Sequence, residues 1–189
     1  MSRLHVLAHR PRRTLAALAT TLVAVGITAA SGADFTATSA NPGNTFATGT
    51  LTMSNSDAGA AILTAAGMKP GAPASTGQVD IANTGSLSGA FTLSRGTPAD
   101  SDGSNPLSGK LNLVVVDCGD FSSGTPVCGD GDDVDKYTGT IAAMSSAVAL
   151  GSYAGADKHR YEFRVSVDSS AGNAYQGDTS EVEFTWNAA

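Results

Sequence analysis

The chain has 189 residues, 41% of them hydrophobic and 15% charged, and its formal net charge is −6. This length suits one domain, or one domain with a processed segment. The low charged fraction excludes a coiled coil and a disordered polyampholyte. Because Asp and Glu (17) outnumber Lys and Arg (11), a basic nucleic-acid-binding protein is excluded as well.

The first 33 residues have the composition of an export signal. The basic residues in this stretch, which no acidic residue accompanies, are Arg3, Arg10, Arg12 and Arg13. An apolar run follows as far as Ile27, and small residues then extend to Ala33. We predict a secretory signal peptide over residues 1–33, cleaved after Ala33, with cleavage after Ala30 as the alternative. An uncleaved membrane anchor is the other interpretation, but Thr and Gly make the run a poor span.

Removal of the signal peptide changes the charge balance, since it takes away four of the 11 basic residues and none of the 17 acidic ones. The remaining chain has a net charge of −10. Such an acidic chain is expected to be repelled by nucleic acids and by anionic membrane surfaces. The signal peptide predicts an extracellular protein, secreted or at the cell surface. The acidic charge predicts that this protein does not bind nucleic acid and has no stable membrane insertion after cleavage.

Export also decides how the two cysteines are interpreted. In an oxidising compartment, Cys118 and Cys128 are expected to form a disulfide that closes a short loop. The alternative is a metal or redox pair. It lacks both the C-x-x-C spacing and a histidine nearby in the sequence.

Alternation of apolar and polar residues recurs between clusters of turn-forming residues. The expected strands lie within residues 46–53, 78–83, 87–93, 111–116, 161–167 and 182–186. Period-2 patterns with one buried face are typical of antiparallel sheets. We predict an all-β fold for residues 45–189, an antiparallel jelly roll or β-sandwich, with one short helix at most between Ile141 and Leu150.

An acidic stretch beside the second cysteine raises a calcium hypothesis, because oxygen-rich loops bind Ca²⁺ in extracellular proteins. Its candidate ligands are Asp130, Asp132, Asp133 and Asp135. An EF-hand loop that starts at Asp130 would need Gly and Glu where Asp135 and Ile141 stand. The alternative is a solvated acidic loop, and we expect no cofactor.

Motifs for catalysis are sparse. His159 is the one histidine that remains after signal removal, and it is expected in an exposed loop just before a strand. The H-E-x-x-H zinc motif and the G-x-S-x-G nucleophile motif are both absent from the sequence. We therefore predict a protein that is not an enzyme.

Several stretches together resemble the TasA and camelysin family of secreted bacterial surface proteins. They are Asp34–Thr38 with Gly43–Leu51, Met68–Gly71, Val79–Leu87, and Ala174–Asp178 ahead of Val182–Trp186. The resemblance implies a jelly-roll domain, released by a signal peptidase of the SipW type, that polymerises with itself into fibres of the biofilm matrix. It also implies that the freed N-terminal segment of one subunit completes the sheet of the next. The residues at the matching positions are Asp34, Phe35, Thr36, Ala37, Thr38, Ser39 and Ala40.

The residues themselves make such a donor segment (Asp34–Ala40, within residues 34–44) physically reasonable. Phe35, Ala37 and Ser39 alternate with their neighbours in an extended pattern that has too little apolar surface to fold alone. An open sheet edge accepts such a strand through main-chain hydrogen bonds. The contact is heterologous, so it propagates as a filament. The alternative is that residues 34–44 form a disordered tail or pair with their own domain.

Three functions compete at this point. The leading hypothesis is a structural protein that self-assembles into extracellular fibres by donor-strand complementation. A surface metalloendopeptidase is the second, because camelysin-like relatives carry that description. The third is an adhesin-like binding module without catalytic activity.

Overall fold

The computed structural model describes residues 47–189, so the predicted signal peptide (1–33) and donor segment lie outside the described residues. Ten strands and two short 3-10 turns, Leu107–Gly109 and Asn173–Tyr175, are present in this part of the chain. The strands are β1 (Met53–Asn55), β2 (Ser75–Asn83), β3 (Gly89–Arg95), β4 (Ala99–Asp100), β5 (Leu111–Asp120), β6 (Val134–Thr140), β7 (Val148–Tyr153), β8 (Lys158–Val167), β9 (Ser180–Glu181) and β10 (Phe184–Ala188).

The strands form an antiparallel β-sandwich, which confirms the predicted fold class. The large sheet has the order β1-β2-β8-β5-β6 and the small sheet the order β10-β3-β7, while β4 and β9 pair separately. β8 lies at the centre of the large sheet, with Tyr161 opposite Val79 of β2 and Phe163 opposite Val115 of β5. Among residues 47–189, no helix has the length and apolarity needed to cross a lipid bilayer.

The core lies between the two sheets because alternate residues of each strand point inward. Val79 and Ile81 of β2 are fully buried, as the alternation predicts, and so are Phe91 and Leu93 of β3. Aromatic rings connect the sheets: the Tyr161 and Trp186 ring centroids lie 5.1 Å apart, and Phe163 meets Phe184 edge-on at 4.9 Å. The Tyr153 and Tyr161 hydroxyls bond to each other in this core, and burial raises the pKa of both phenols.

No helix forms between Ile141 and Leu150, where the prediction allowed one short helix at most. Residues 140–144 make a hydrogen-bonded turn instead, in which the Met144 N–H donates to the Ile141 carbonyl. From Val148 onward the chain is strand β7, with Leu150 and Tyr153 buried against β3. Pairing with β3 outweighs the helix propensity of this Ala-rich stretch.

The loop between β5 and β6 lies on the outer face of the large sheet. Cys118 and Cys128 form a disulfide at its base, with Cα atoms 4.8 Å apart. The Lys158 ammonium lies 3.9 Å from the Phe121 ring centroid. Arg160 Nη1 donates to the Pro126 carbonyl. The loop is therefore fixed both covalently and by cationic side chains of β8.

Candidate functional site

The small sheet ends at β10, whose outer edge has no strand beside it in the described part of the chain. Hydrogen bonds between Ala189 and Ala90, and from the Gly96 N–H to the Glu183 carbonyl, fix which main-chain groups face β3. Because these groups alternate along an antiparallel strand, the N–H and C=O of residues 184, 186 and 188 point to the outer edge. β10 thus presents a row of main-chain donors and acceptors.

A groove of about 850 Å³ lies along this edge, and we call it the β10 groove. Phe184 and Trp186 of β10 contribute apolar side chains to its lining, as do Phe163 and Val165 of β8 and Leu111 of β5. Residues 180–183, which lead into β10, line it as well. An open sheet edge beside an apolar groove can pair with a strand and bury that strand's side chains at the same time.

Residues 59–65 also line the β10 groove. Within residues 47–189, the stretch 61–67 makes no main-chain hydrogen bond to another main-chain group. It approaches β2 closely at Gly77, where any side-chain carbon would collide with the Ile62 carbonyl oxygen. This irregular stretch thus lies along the groove without adding a strand to either sheet.

Other sheet edges carry features that discourage strand addition. β1 is three residues long, and β6 places Asp135 and Lys136 at its exposed end. β7 is interrupted by a register shift opposite Phe91 and Thr92, and Gly151 within it has a φ of 129°. β10, with the sequence FTWNA, has no charge and no bulge. The edge most open to pairing is therefore the one beside the groove.

A second polar site lies at one end of the sandwich. His159 belongs to β8 rather than to an exposed loop, so that expectation was wrong. Its ring stacks on Tyr153 at 4.4 Å between centroids, and its Nδ1 donates to Asp117 Oδ1 at 3.0 Å. Lys136 Nζ lies 3.3 Å from the other Asp117 oxygen. β8 begins at Lys158, directly after the turn that contains Asp157, and His159 at its second position packs inward on Tyr153.

The Asp117 carboxylate is held in its charged form. Burial alone raises the pKa of Asp117, but hydrogen bonds from His159 and the Gly119 N–H, with the charges of His159 and Lys136, outweigh burial. The net result is a pKa below the ordinary value of 3.8. The same balance lowers the pKa of Asp80, where burial is outweighed by hydrogen bonds and charges from Arg160 and Lys158.

These two lowered pKa values predict how the free energy of unfolding depends on pH. The folded protein binds protons on these groups less readily than the unfolded chain, so their stabilising contribution is complete above about pH 4 and is lost as pH falls through the lower folded pKa values. Asp117→Asn should lower stability by about 1–3 kcal/mol at neutral pH and flatten the acid limb. Urea unfolding between pH 6 and pH 2 measures both effects, and an unchanged acid limb in the variant would contradict this assignment.

The acidic loop residues are distributed among several partners. Asp133 Oδ2 accepts hydrogen bonds from the Gly129 N–H and from Arg164 Nη2, and Asp130 accepts one from the Asp132 N–H. Asp135 lies on β6. Within the described residues, no three His, Cys, Asp or Glu side chains are grouped so that they could hold a metal ion.

Comparisons with known proteins add no identification: no protein-family model matches the chain, and no curated protein matches it. The resemblance to the TasA and camelysin family therefore stays a prediction. The β10 groove was not predicted from the sequence, although the alternating apolar residues of Val182–Trp186 were one signal of it. The Asp117–His159 pair gave no sequence signal, since the two residues are 42 positions apart.

Proposed function

We propose that this protein is a secreted structural subunit that self-associates, with the donor segment of one copy added as a strand to β10 of the next. The observation that carries the proposal is the uncharged edge of β10, which has no strand beside it within residues 47–189 and lies next to a groove with aromatic and aliphatic side chains in its lining. The donor segment is uncharged from Phe35 to Ala40. An uncharged strand adds no further negative charge to the acidic side chains that also line the groove, which are Asp57, Glu181 and Glu183.

The dimensions support this pairing. At about 3.3 Å per residue, the donor segment spans roughly 23 Å and β10 roughly 17 Å. Phe35, Ala37 and Ser39 share one face of the extended segment, so this face can enter the groove while Thr36 and Thr38 stay in solvent. The large ring of Phe35 fits the groove's aromatic and aliphatic lining.

The energetics favour assembly only at high local concentration. Each hydrogen bond to the free groups of Phe184, Trp186 and Ala188 contributes about 0.5–1.5 kcal/mol net. Burial of Phe35 adds about 1.5–3 kcal/mol. Association costs on the order of 4–15 kcal/mol in lost freedom. The favourable contributions and the cost of association nearly cancel, so assembly should depend steeply on protein concentration.

The proposal is tested on the mature chain, residues 34–189, and on a variant that lacks Asp34–Ala40. Electron microscopy and sedimentation should show filaments for the mature chain and monomers for the variant, with the same melting temperature for the folded domain. The matched control is a variant in which residues 34–40 are scrambled, so that Phe35 no longer shares a face with Ala37 and Ser39.

A synthetic peptide with the sequence of Asp34–Ala40 distinguishes strand exchange between copies from docking of the segment within one copy. If copies exchange strands, the peptide binds the deletion variant and, in excess, stops the mature chain from elongating. The opposite result is a mature chain that stays monomeric at high concentration although its deletion variant binds the peptide. In that case the donor segment is docked on its own domain. That result would overturn the proposal.

A further inference from the structure

Trp186 carries a polar group that the isolated domain leaves unused. Its side chain points into the sandwich, is 7% exposed, and packs against Tyr161 and Phe163. Within residues 47–189, its indole N–H has no hydrogen-bond partner. Buried tryptophan N–H groups usually find an acceptor, because an unpaired one is costly. Trp186 also lines the β10 groove, so an occupant of this groove that displaces the side chains now covering the indole nitrogen can supply that acceptor.

The direction of the indole limits what this acceptor can be. Carbonyl groups of a strand added to β10 lie in the plane of the sheet, toward β10 or away from it. The Trp186 side chain instead leaves that plane and enters the sandwich. The acceptor must therefore be a side chain on the inward face of the added strand. On the face of the donor segment that carries Phe35, the side chain that accepts hydrogen bonds is the Ser39 hydroxyl.

We infer that Trp186 fixes the register of the incoming strand by donating its indole N–H to the Ser39 hydroxyl of the neighbouring copy. This inference rests on the proposed function and names the contact that specifies the partner. Neighbouring strands in a sheet lie about 4.8 Å apart, a separation that a serine hydroxyl and an indole nitrogen can bridge.

This register also sets the direction of the added strand. The groove extends from Trp186 toward Ser180. With Ser39 beside Trp186, Phe35 stays within the groove only if the added strand runs parallel to β10. Ala37 then lies beside Phe184, and Phe35 beside Val182. An antiparallel strand in this register would carry Phe35 past Ala189 and out of the groove.

The test is a double-mutant cycle on the critical concentration for assembly of the mature chain. Trp186→Phe keeps an aromatic ring but removes the N–H, and Ser39→Ala removes the acceptor outside the folded domain. Each variant should raise the critical concentration about tenfold, the effect of one lost hydrogen bond. The critical concentration of the double variant should be no higher than that of either single variant, because both changes remove the same hydrogen bond. Thr38→Ala, on the opposite face, is the matched control and should leave the critical concentration unchanged.

The outcomes separate this inference from the proposed function. If the double variant raises the critical concentration by the product of the two single effects, the Trp186–Ser39 contact is wrong, while the proposed assembly still stands. The same holds if Thr38→Ala raises the critical concentration and Ser39→Ala does not. A wild-type mature chain that forms no assemblies would overturn both. Trp186 is the one tryptophan in the chain, so its fluorescence gives a second measurement. Its emission should change on assembly of wild type, and the change should be smaller in Ser39→Ala.

Should Trp186→Phe unfold, Ser39→Ala still decides the result. Its change lies outside the described domain, so the thermal unfolding of that domain should match wild type. An unchanged critical concentration for Ser39→Ala would overturn the inference by itself.

Discussion

Replacement of Ala188 by proline is expected to raise the critical concentration for assembly by at least about tenfold, while the isolated subunit melts within about 2 °C of wild type. The Ala188 N–H points to the free edge of β10, so its loss removes no hydrogen bond from the folded subunit. Proline is tolerated on sheet edges for this reason. Its ring also blocks the close approach of another strand. Sedimentation measures assembly, and circular dichroism measures melting.

Asn187→Pro is the matched control for this prediction. The Asn187 N–H faces β3, where Asn187 is paired with Thr92, so proline at this position removes a bond of the ladder. This variant should lose stability, in contrast to Ala188→Pro. If Ala188→Pro assembles like wild type, the edge of β10 is not the acceptor. If both variants melt alike, the assignment of main-chain groups to the two edges is wrong.

Much of the sandwich could be predicted from the sequence, because burial on one face of a strand leaves a period-2 pattern. β2, β3, β5, β8 and β10 all contain stretches predicted as strands. β6 was missed because its first residues belong to an acidic stretch that is typical of a solvated loop. β6 is held by pairing with β5, as in Val114 opposite Thr138, and such a contact leaves no trace in the local sequence.

At the candidate sites, too, features that depend on neighbouring residues could be predicted, and features that depend on contacts between distant strands could not. The donor segment could be proposed from local sequence, because the resemblance to the TasA and camelysin family implies it and the alternation within residues 34–40 is compatible with it. The edge that would receive it could not, because whether β10 is central or at an edge depends on the order of strands that are far apart in the chain. His159 was placed in a loop since its neighbours Asp157 and Lys158 favour turns. Its stacking on Tyr153 depends on the pairing of β7 with β3 and of β8 with β5.

Phe163→Ala is expected to lower the free energy of unfolding by about 3–5 kcal/mol. Phe163 is 1% exposed, belongs to the central strand of the large sheet, and contacts both Phe184 and Trp186 edge-on. Truncation leaves a cavity that both sheets enclose, and neither sheet can close it without moving the other. Urea unfolding of the deletion variant that lacks Asp34–Ala40 measures this loss without interference from assembly.

Phe121→Ala is the matched truncation, since Phe121 is half-buried on the disulfide loop and contacts Lys158 through its ring face. It should cost about 1 kcal/mol or less, the usual size of an exposed cation–π contact.

Because Phe163 also lines the β10 groove, its truncation should weaken binding of the Asp34–Ala40 peptide under conditions where the variant is still folded. Equal peptide affinity in the two variants would show that the strand binds elsewhere, since Phe163 lines the groove and Phe121 does not.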